Sequence, residues 1–259
     1  MGTISLNGVS SDSIGIRVST FPSYVYPEKN VETVTIPGRN GDVLYDLGTY
    51  KNVDISYEIS VYDPALSTAP AMIEKVVKWM HPSNGYITIE DSYDPNYIRL
   101  GYCKNSGEVE NILHQAGKAT IKFNCRPEKF LKTAYTWNIG TGWDTKTISS
   151  GSTGSFVNPG PYIANPKIKI LSGSSGATLN FNNNSAGKSC TLYIPGGYTN
   201  SIVDCENLNA VDANGNEINW AVTVYWYNGR SNPPALWTGT TTITANSATV
   251  QVMPRWWTL

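Results

Sequence analysis

The stretch I-P-G-R-N-G-D-V, Ile36 to Val43, places two turn signals between two runs that have the composition of β-strands. Pro37-Gly38 suits the centre of a type II turn, and Asn40-Gly41 is a strong hairpin dipeptide because both residues accept positive φ. Residues 32–36 precede the turns with apolar side chains on one face, and residues 43–45 resume an extended run. The pattern predicts a β-hairpin.

Arg39 lies between the two turns, at the tip of the predicted hairpin. One interpretation is a solvent-exposed turn in which Arg39 only maintains solubility. The other is a contact between subunits, because a planar guanidinium suits a carboxylate or backbone carbonyls on a neighbouring chain. In that hypothesis the contact residues are Pro37, Gly38, Arg39, Asn40 and Gly41.

The composition favours a β-rich protein with an uncharged polar surface. Of 259 residues, 40% are hydrophobic and only 15% are charged, so Asn, Ser, Thr and Gly must supply much of the surface. The net charge is −1 and the basic residues form no block, which disfavours nucleic acid as a high-affinity partner. The length suffices for two hydrophobic cores.

The sequence contains no secretion signal, and no run reaches the roughly 18 apolar residues that span a bilayer. We therefore expect neither secretion nor a membrane partner. The four cysteines have no C-x-x-C spacing and lie in strand-like runs, which favours buried free thiols over a metal site or a disulfide. They are Cys103, Cys125, Cys190 and Cys205.

The first half of the chain is typical of a β domain with one helix. Its clearest strand is Val53 to Tyr62, where apolar and polar residues alternate without a break. The helix follows, with Ser67 or Thr68 as its cap and Pro70 in its first turn. Its apolar stripe consists of Met72, Ile73, Val76, Val77 and Met80, with Trp79 beside them. Further strands are predicted at residues 4–6, 14–18, 87–89, 97–102 and 119–125.

The composition changes after residues 126–130 toward Gly, Ser, Thr and Asn, which places a domain boundary near residue 131. Beyond it, short apolar runs alternate with Asn- and Gly-rich turns and show no helical period. This half is predicted to be an antiparallel β-sandwich. The expected fold class is therefore all-β, with domains at residues 1–130 and 131–259.

No group of residues has the spacing that catalysis requires. His81 and His114 lack a second metal ligand at a suitable distance, and the G-S-T-G and G-S-S-G segments lack the strand-to-helix setting of a nucleophile. The carboxylates of residues 90–94 cluster in one turn. Residues 212–216 resemble the start of a calcium loop, but Thr223 stands where the closing glutamate is required. We predict no enzymatic activity, no cofactor and no metal site.

The second half is rich in tryptophan and tyrosine, which suggests an alternative role in sugar binding. An exposed indole can stack on a sugar face, and the loop S-N-P-P-A-L-W at residues 231–237 is stiffened by two prolines. The candidate saccharide contacts are Arg230, Asn232 and Trp237. The other interpretation of each tryptophan is a place in the sandwich core.

Taken in order, these features resemble the distal tail protein family of long-tailed, non-contractile bacteriophages. They are I-S-L-N-G at residues 4–8, the I-P-G-R-N-G-D hairpin, Gly48-Thr49-Tyr50 before the alternating strand, one helix, and F-N-C-R-P-E-K-F at residues 123–130. The resemblance is most specific over residues 4–130. Over residues 162–259 it rests on N-P-x-I-x-I and V-D-C-E-N, which are weaker motifs.

The resemblance implies a tail-tube-like N-terminal β domain with one α-helix and a galectin-like C-terminal sandwich. It implies a homohexameric ring, single or as two stacked rings, that joins the tail tube to the tail tip. The implied partners are the tail tube protein, a tail-tip protein and a receptor-binding protein, with phage DNA only passing through the channel. The implied location is the virion tail tip, after assembly in the cytoplasm of the host bacterium. A carbohydrate-binding tail adhesin that uses the C-terminal sandwich is the alternative.

Overall fold

The computed structural model describes residues 2–62, 69–82, 85–104, 109–113, 116–138, 144–173, 176–219, 223–226 and 234–259. Within these residues the protein is mostly β with one α-helix, which confirms the predicted fold class. The chain divides into two compact units, Met1–Lys129 together with Leu259, and Phe130–Thr258. The ring-forming role of the first unit and the galectin-like character of the second stay predictions.

The first unit contains the helix α1 (Ala69–Met80). Its strands are β1 (Ile4–Leu6), β2 (Val9–Ser10), β3 (Ile16–Val18), β4 (Lys29–Val34), β5 (Val43–Tyr50), β6 (Val53–Tyr62), β7 (Ile87–Asp91), β8 (Tyr97–Cys103), β9 (Val109–Leu113) and β10 (Ala116–Leu131), the last of which continues into the second unit.

The main sheet of the first unit has the strand order β2-β1-β7-β8-β10-β6-β3, and β9 also pairs with β10. The alternation that predicted β6 is confirmed, since Ile55, Tyr57 and Ile59 are buried while Asp54 and Glu58 are exposed. This alternation places one face of β6 in the hydrophobic core.

Helix α1 covers this core with Val76, Trp79 and Met80. Val77, which the sequence placed in the buried stripe, is 39% exposed, and this is a correction. The indole N–H of Trp79 donates to the carbonyl oxygen of Val9 at 3.0 Å. Trp79 therefore faces the core, and the buried stripe of the helix consists of residues 76, 79 and 80 and does not include Val77. The predicted cap residues lie outside the described residues.

The strands of the second unit follow at short intervals. They are β11 (Lys146–Ile148), β12 (Ser152–Val157), β13 (Lys167–Ser172), β14 (Ala177–Asn183), β15 (Lys188–Ile194), β16 (Ile202–Asp204), β17 (Asn209–Val211), β18 (Thr223–Trp226), β19 (Thr240–Asn246), β20 (Thr249–Met253) and β21 (Trp257–Thr258).

Two five-stranded sheets form the second unit, with the orders β11-β20-β13-β16-β17 and β12-β19-β14-β15-β18. Their strand pairs are antiparallel. Ile168 and Val250 from the first sheet share one core with Leu179, Phe181 and Ile243 from the second. The sheets therefore pack face to face as a β-sandwich.

The four cysteines are free, and Cys125, Cys190 and Cys205 are buried, while Cys103 is half-buried. Burial raises the pKa of Cys125 to about 12 and that of Cys190 to about 11. The predicted burial is therefore confirmed for Cys125, Cys190 and Cys205 and is wrong for Cys103. Among the described residues, no helix has the length and hydropathy that crossing a membrane requires.

Candidate assembly surface

The hairpin predicted from residues 36–43 exists and forms a sheet of its own. Strands β4 and β5 pair antiparallel, with Val34 opposite Val43 and Thr33 opposite Leu44. Neither strand joins the main sheet or the sandwich. An isolated two-stranded hairpin is marginally stable in water, so this ribbon requires support from another surface.

The tip of the hairpin follows the turn chemistry of its sequence. Gly38 has φ 83°, and the backbone N–H of Arg39 donates to the carbonyl of Ile36 at 3.1 Å, which makes residues 36–39 a type II turn as expected. Gly41 has φ 78°, whereas Asn40, which could also accept a positive φ, does not adopt one. The first turn already reverses the direction of the chain, so one further residue with a positive φ, Gly41, is enough to complete the hairpin tip.

The strand ends at the tip are held together by a side-chain hydrogen bond. The hydroxyl of Thr35 donates to the carboxylate of Asp42 at 2.7 Å. At the base of the hairpin, the ammonium of Lys29 lies 2.9 Å from the carboxylate of Asp46. The hydrogen bond from Lys29, together with one from the backbone N–H of Gly48, holds the pKa of Asp46 below its ordinary value of 3.8. These contacts fix the shape of the ribbon.

The hairpin exposes a row of large apolar side chains. Leu44 and Tyr45 are each 63% exposed. The other exposed members of this group are Val31, Val34, Ile36 and Leu47. Monomeric proteins rarely present such a continuous apolar group to water, and it marks an interaction surface.

Both faces of the ribbon carry apolar residues. Residues opposite one another in the ladder share a face, so Val34, Val43 and Tyr45 lie on one side. Leu44 and Val31 lie on the other side. A hairpin with apolar side chains on both faces is stabilised most when other surfaces cover both of its faces, and less when only one face is covered.

Arg39 is exposed at the hairpin tip. Among the described residues, its guanidinium makes no ion pair within 4.0 Å. The hairpin therefore presents a cation with five donors beside apolar side chains.

The structure describes one of the three candidate sugar contacts, Trp237. Trp237 is 5% exposed and belongs to the core of the sandwich, and its backbone N–H donates to the hydroxyl of Thr241. This burial agrees with the other interpretation of the tryptophans, a place in the sandwich core, and leaves little of the Trp237 indole open to a sugar. Arg230 and Asn232 lie outside the described residues.

A second exposed group on the first unit was missed by the sequence analysis. Phe21, Val25 and Tyr26 are 59% to 86% exposed and lie in a segment without regular structure. The ring of Phe21 packs edge-on against those of Tyr24 and Tyr93. The prolines at positions 22 and 27 could have indicated that this segment has no regular structure, because they interrupt a run that otherwise has the composition of a β-strand.

Comparison with known proteins places this fold among phage tail components. The sequence profile of the family described as "Phage tail protein RIFT-related domain" matches residues 9–125. This match lies within the stretch where the resemblance is most specific. No curated protein sequence matches the chain.

Three solved structures share the fold. The Dit protein of phage SPP1, described as a paradigm of the hub adsorption apparatus in phages that infect Gram-positive bacteria, is 16% identical, with 100% of each chain covered and a TM-score of 0.62. A chain of the phage P2 baseplate in its activated conformation with Ca is 9% identical, with 97% of each chain covered and a TM-score of 0.58. The corresponding P2 structure with Sr is 10% identical, with 97% of each chain covered and a TM-score of 0.52.

Residues 9–125 thus match the family described as phage tail protein RIFT-related domain, and the whole chain shares the fold of the Dit protein of phage SPP1, in agreement with the resemblance indicated by the sequence.

Proposed function

We propose that this chain is a structural distal tail protein that forms a homohexameric ring between the tail tube and the tail tip or receptor-binding apparatus. The ring lies in the virion tail tip after assembly in the host cytoplasm. Its partners are further copies of itself, the tail tube protein and tail-tip proteins, and DNA only passes through it. Catalysis and cofactors play no part in this proposal.

One observation carries the proposal, namely the hairpin of strands β4 and β5. Within the described part of the chain its strands pair with no strand of the other sheets, and its apolar side chains on both faces are exposed. A single chain gains little from such a ribbon, whereas an assembly buries it. The family match of the first unit and the likeness of the whole chain to phage hub proteins support the same role.

The ring geometry follows from the number of distinct surfaces. If the hairpin met the same hairpin on another copy, a two-fold dimer would form and growth would stop. If it meets a different surface, head-to-tail contacts continue until they close. The proposal therefore places the hairpin, including residues 37–41, at a heterologous subunit contact.

Light scattering over a concentration series tests this proposal. The chain has a mass of 28.3 kDa, so a closed hexamer has a mass of about 170 kDa. Arg39→Ala removes the cation at the hairpin tip, and we expect a weaker ring with an unchanged thermal transition of the monomer. Lys188→Ala, which removes a cation from the second unit, is the matched control and should assemble normally.

Two outcomes contradict the proposal in different ways. A chain that stays at 28.3 kDa at high concentration would contradict the ring itself. A ring that forms equally well with Arg39→Ala would remove Arg39 from the contact and leave residues 37–41 as a plain turn.

A further inference from the structure

Strand β6 has one edge that its own chain leaves largely unpaired. On one side, β10 pairs with β6 along its whole length, from Val53 to Tyr62. On the other side, β3 pairs only with residues 59–61. The next contact on that side is the backbone N–H of Ser19, which donates to the carbonyl of Glu58 at 2.8 Å.

The segment after Ser19 leaves this edge and crosses a face of the sheet. The hydroxyl of Tyr24 donates to the carboxylate of Asp91 at 2.7 Å, and Asp91 ends β7, which lies three strands away from β6. Pro22 fixes φ at about −65°, far from the roughly −140° of an antiparallel strand, so it does not suit a continued ladder. The segment returns at residue 28, whose carbonyl accepts the N–H of Lys51 at 2.8 Å.

The departure of this segment leaves a strand position vacant beside Asp54 and Ser56. In an antiparallel ladder, the N–H and C=O of alternate residues point to the same side. Because the carbonyl of Glu58 points toward Ser19, the N–H and C=O groups of Asp54 and Ser56 also point to this edge. Within the described part of the chain, these groups have no backbone partner on that side.

We propose that the hairpin of a second copy fills this vacant position by adding one of its strands to the edge of β6. This inference rests on the proposed function and names the surface that receives the hairpin. β-Strand addition uses main-chain hydrogen bonds for affinity, and each strand of the hairpin has one free edge to offer.

The fit between the two surfaces favours a second copy as the occupant. The vacancy covers residues 54–57, between the contacts of Ser19 and of residue 28, so four of the six residues of β4 or of the eight residues of β5 would pair in it. A head-to-tail ring needs a donor and a separate acceptor on each chain, and the hairpin and the edge of β6 are two such surfaces. One face of the hairpin would then continue the core face of the main sheet, and the other would lie beside the exposed face that carries Asp54 and Glu58.

The first test blocks the edge without touching the ladder to β10. Ser56→Pro removes an N–H that points to the vacant side and places a ring where the guest strand would lie. We expect the native ring to shift to the 28.3 kDa monomer, while Ser56→Thr, which keeps the N–H and favours a strand, retains the ring. A Ser56→Pro chain that forms the same ring would overturn the inference.

The second test does not depend on how Ser56→Pro folds. In a Cys103→Ser background, one preparation carries Ser56→Cys and another carries Leu44→Cys, and the two are mixed and treated with a short bismaleimide. We expect cross-linked dimers in the mixture and not in either preparation alone. Cross-linking of Leu44→Cys with itself, or a ring that gives no cross-link in the mixture, would refute the inference.

The two proposals fail in distinguishable ways. A native chain that stays monomeric contradicts the ring, and the inference falls with it. A native ring that tolerates Ser56→Pro and gives no cross-link in the mixture contradicts only the edge of β6 as the acceptor.

Discussion

Replacing Arg255 by methionine should destabilise the second unit strongly. Arg255 is 3% exposed, and its guanidinium lies 3.1 Å from Asp204 and forms a second ion pair with Glu206. It also lies over the rings of Phe130 and Tyr135, at 5.4 and 5.5 Å from their centroids. Methionine keeps the apolar stem and removes the charge, the donors and the cation–π contacts.

The size of the effect follows from what the substitution leaves behind. Breaking a buried ion pair by removing one partner costs about 3–5 kcal/mol. Asp204 retains Lys167 at 3.2 Å, and the carboxylates of Asp204 and Glu206 are 15% and 21% exposed, so the lower end applies. We expect the unfolding free energy to fall by about 3 kcal/mol, or about 10 °C in the melting temperature of this unit.

Urea unfolding of the full chain, followed by tryptophan fluorescence, measures this loss. Lys188→Met removes a cation from the same unit and should change the unfolding free energy by less than about 0.5 kcal/mol. Adding Glu206→Gln to Arg255→Met should recover at least about 1 kcal/mol, because it removes a carboxylate that lost its ion pair with Arg255. An Arg255→Met chain within about 1 kcal/mol of the native chain would refute the assigned role of this cluster.

Three further predictions concern packing and charge. Asp91→Asn should lower the unfolding free energy of the first unit by about 2 kcal/mol in thermal melts, because the buried carboxylate accepts hydrogen bonds from the hydroxyls of Tyr24 and Tyr57; an unchanged melt would contradict this. Gly101→Ala should cost about 1–3 kcal/mol in the same assay, since a new Cβ would lie 2.8 Å from the sulfur of Cys125 and within 3 Å of a neighbouring isoleucine. Burial acts to raise the pKa of Asp204, but the charges of Lys167 and Arg255 outweigh it and hold the pKa below 3.8; the stability this gives is present above that pH and is lost as pH falls through the folded value, so the second unit should weaken as the pH falls below 3.8, and Asp204→Asn should flatten that slope.

Local patterns in the sequence were sufficient to predict turns, whose hydrogen-bond partners are near in the chain, and strands that have one buried and one exposed face. The alternation of residues 53–62 predicted β6 with its observed bounds, because one face of that strand is core and the other is water. Pro37-Gly38 predicted a type II turn, since few other backbone shapes fit that dipeptide. The apolar period of the helix was also found, although Trp79 displaced Val77 from the buried side.

Long-range contacts decided the rest, and the sequence does not display them. Val34 and Leu44 look like core residues by composition, yet both are exposed on a ribbon that pairs with no other strand in the described residues. Trp237 looks like a loop residue open to ligands, yet it is buried in the core of the sandwich. Arg255 has φ 56° and gathers acidic partners from about fifty residues away, which no local pattern indicates.

The distribution of the buried thiols allows the opening of each unit to be timed separately. Cys125 belongs to the first unit, and Cys190 and Cys205 belong to the second. Because burial keeps these groups protonated and shielded, an alkylating reagent reaches each one only while its surroundings are open. Mass spectrometry of peptides after pulses of reagent would therefore report two opening rates from one intact chain, with half-buried Cys103 as the fast internal reference.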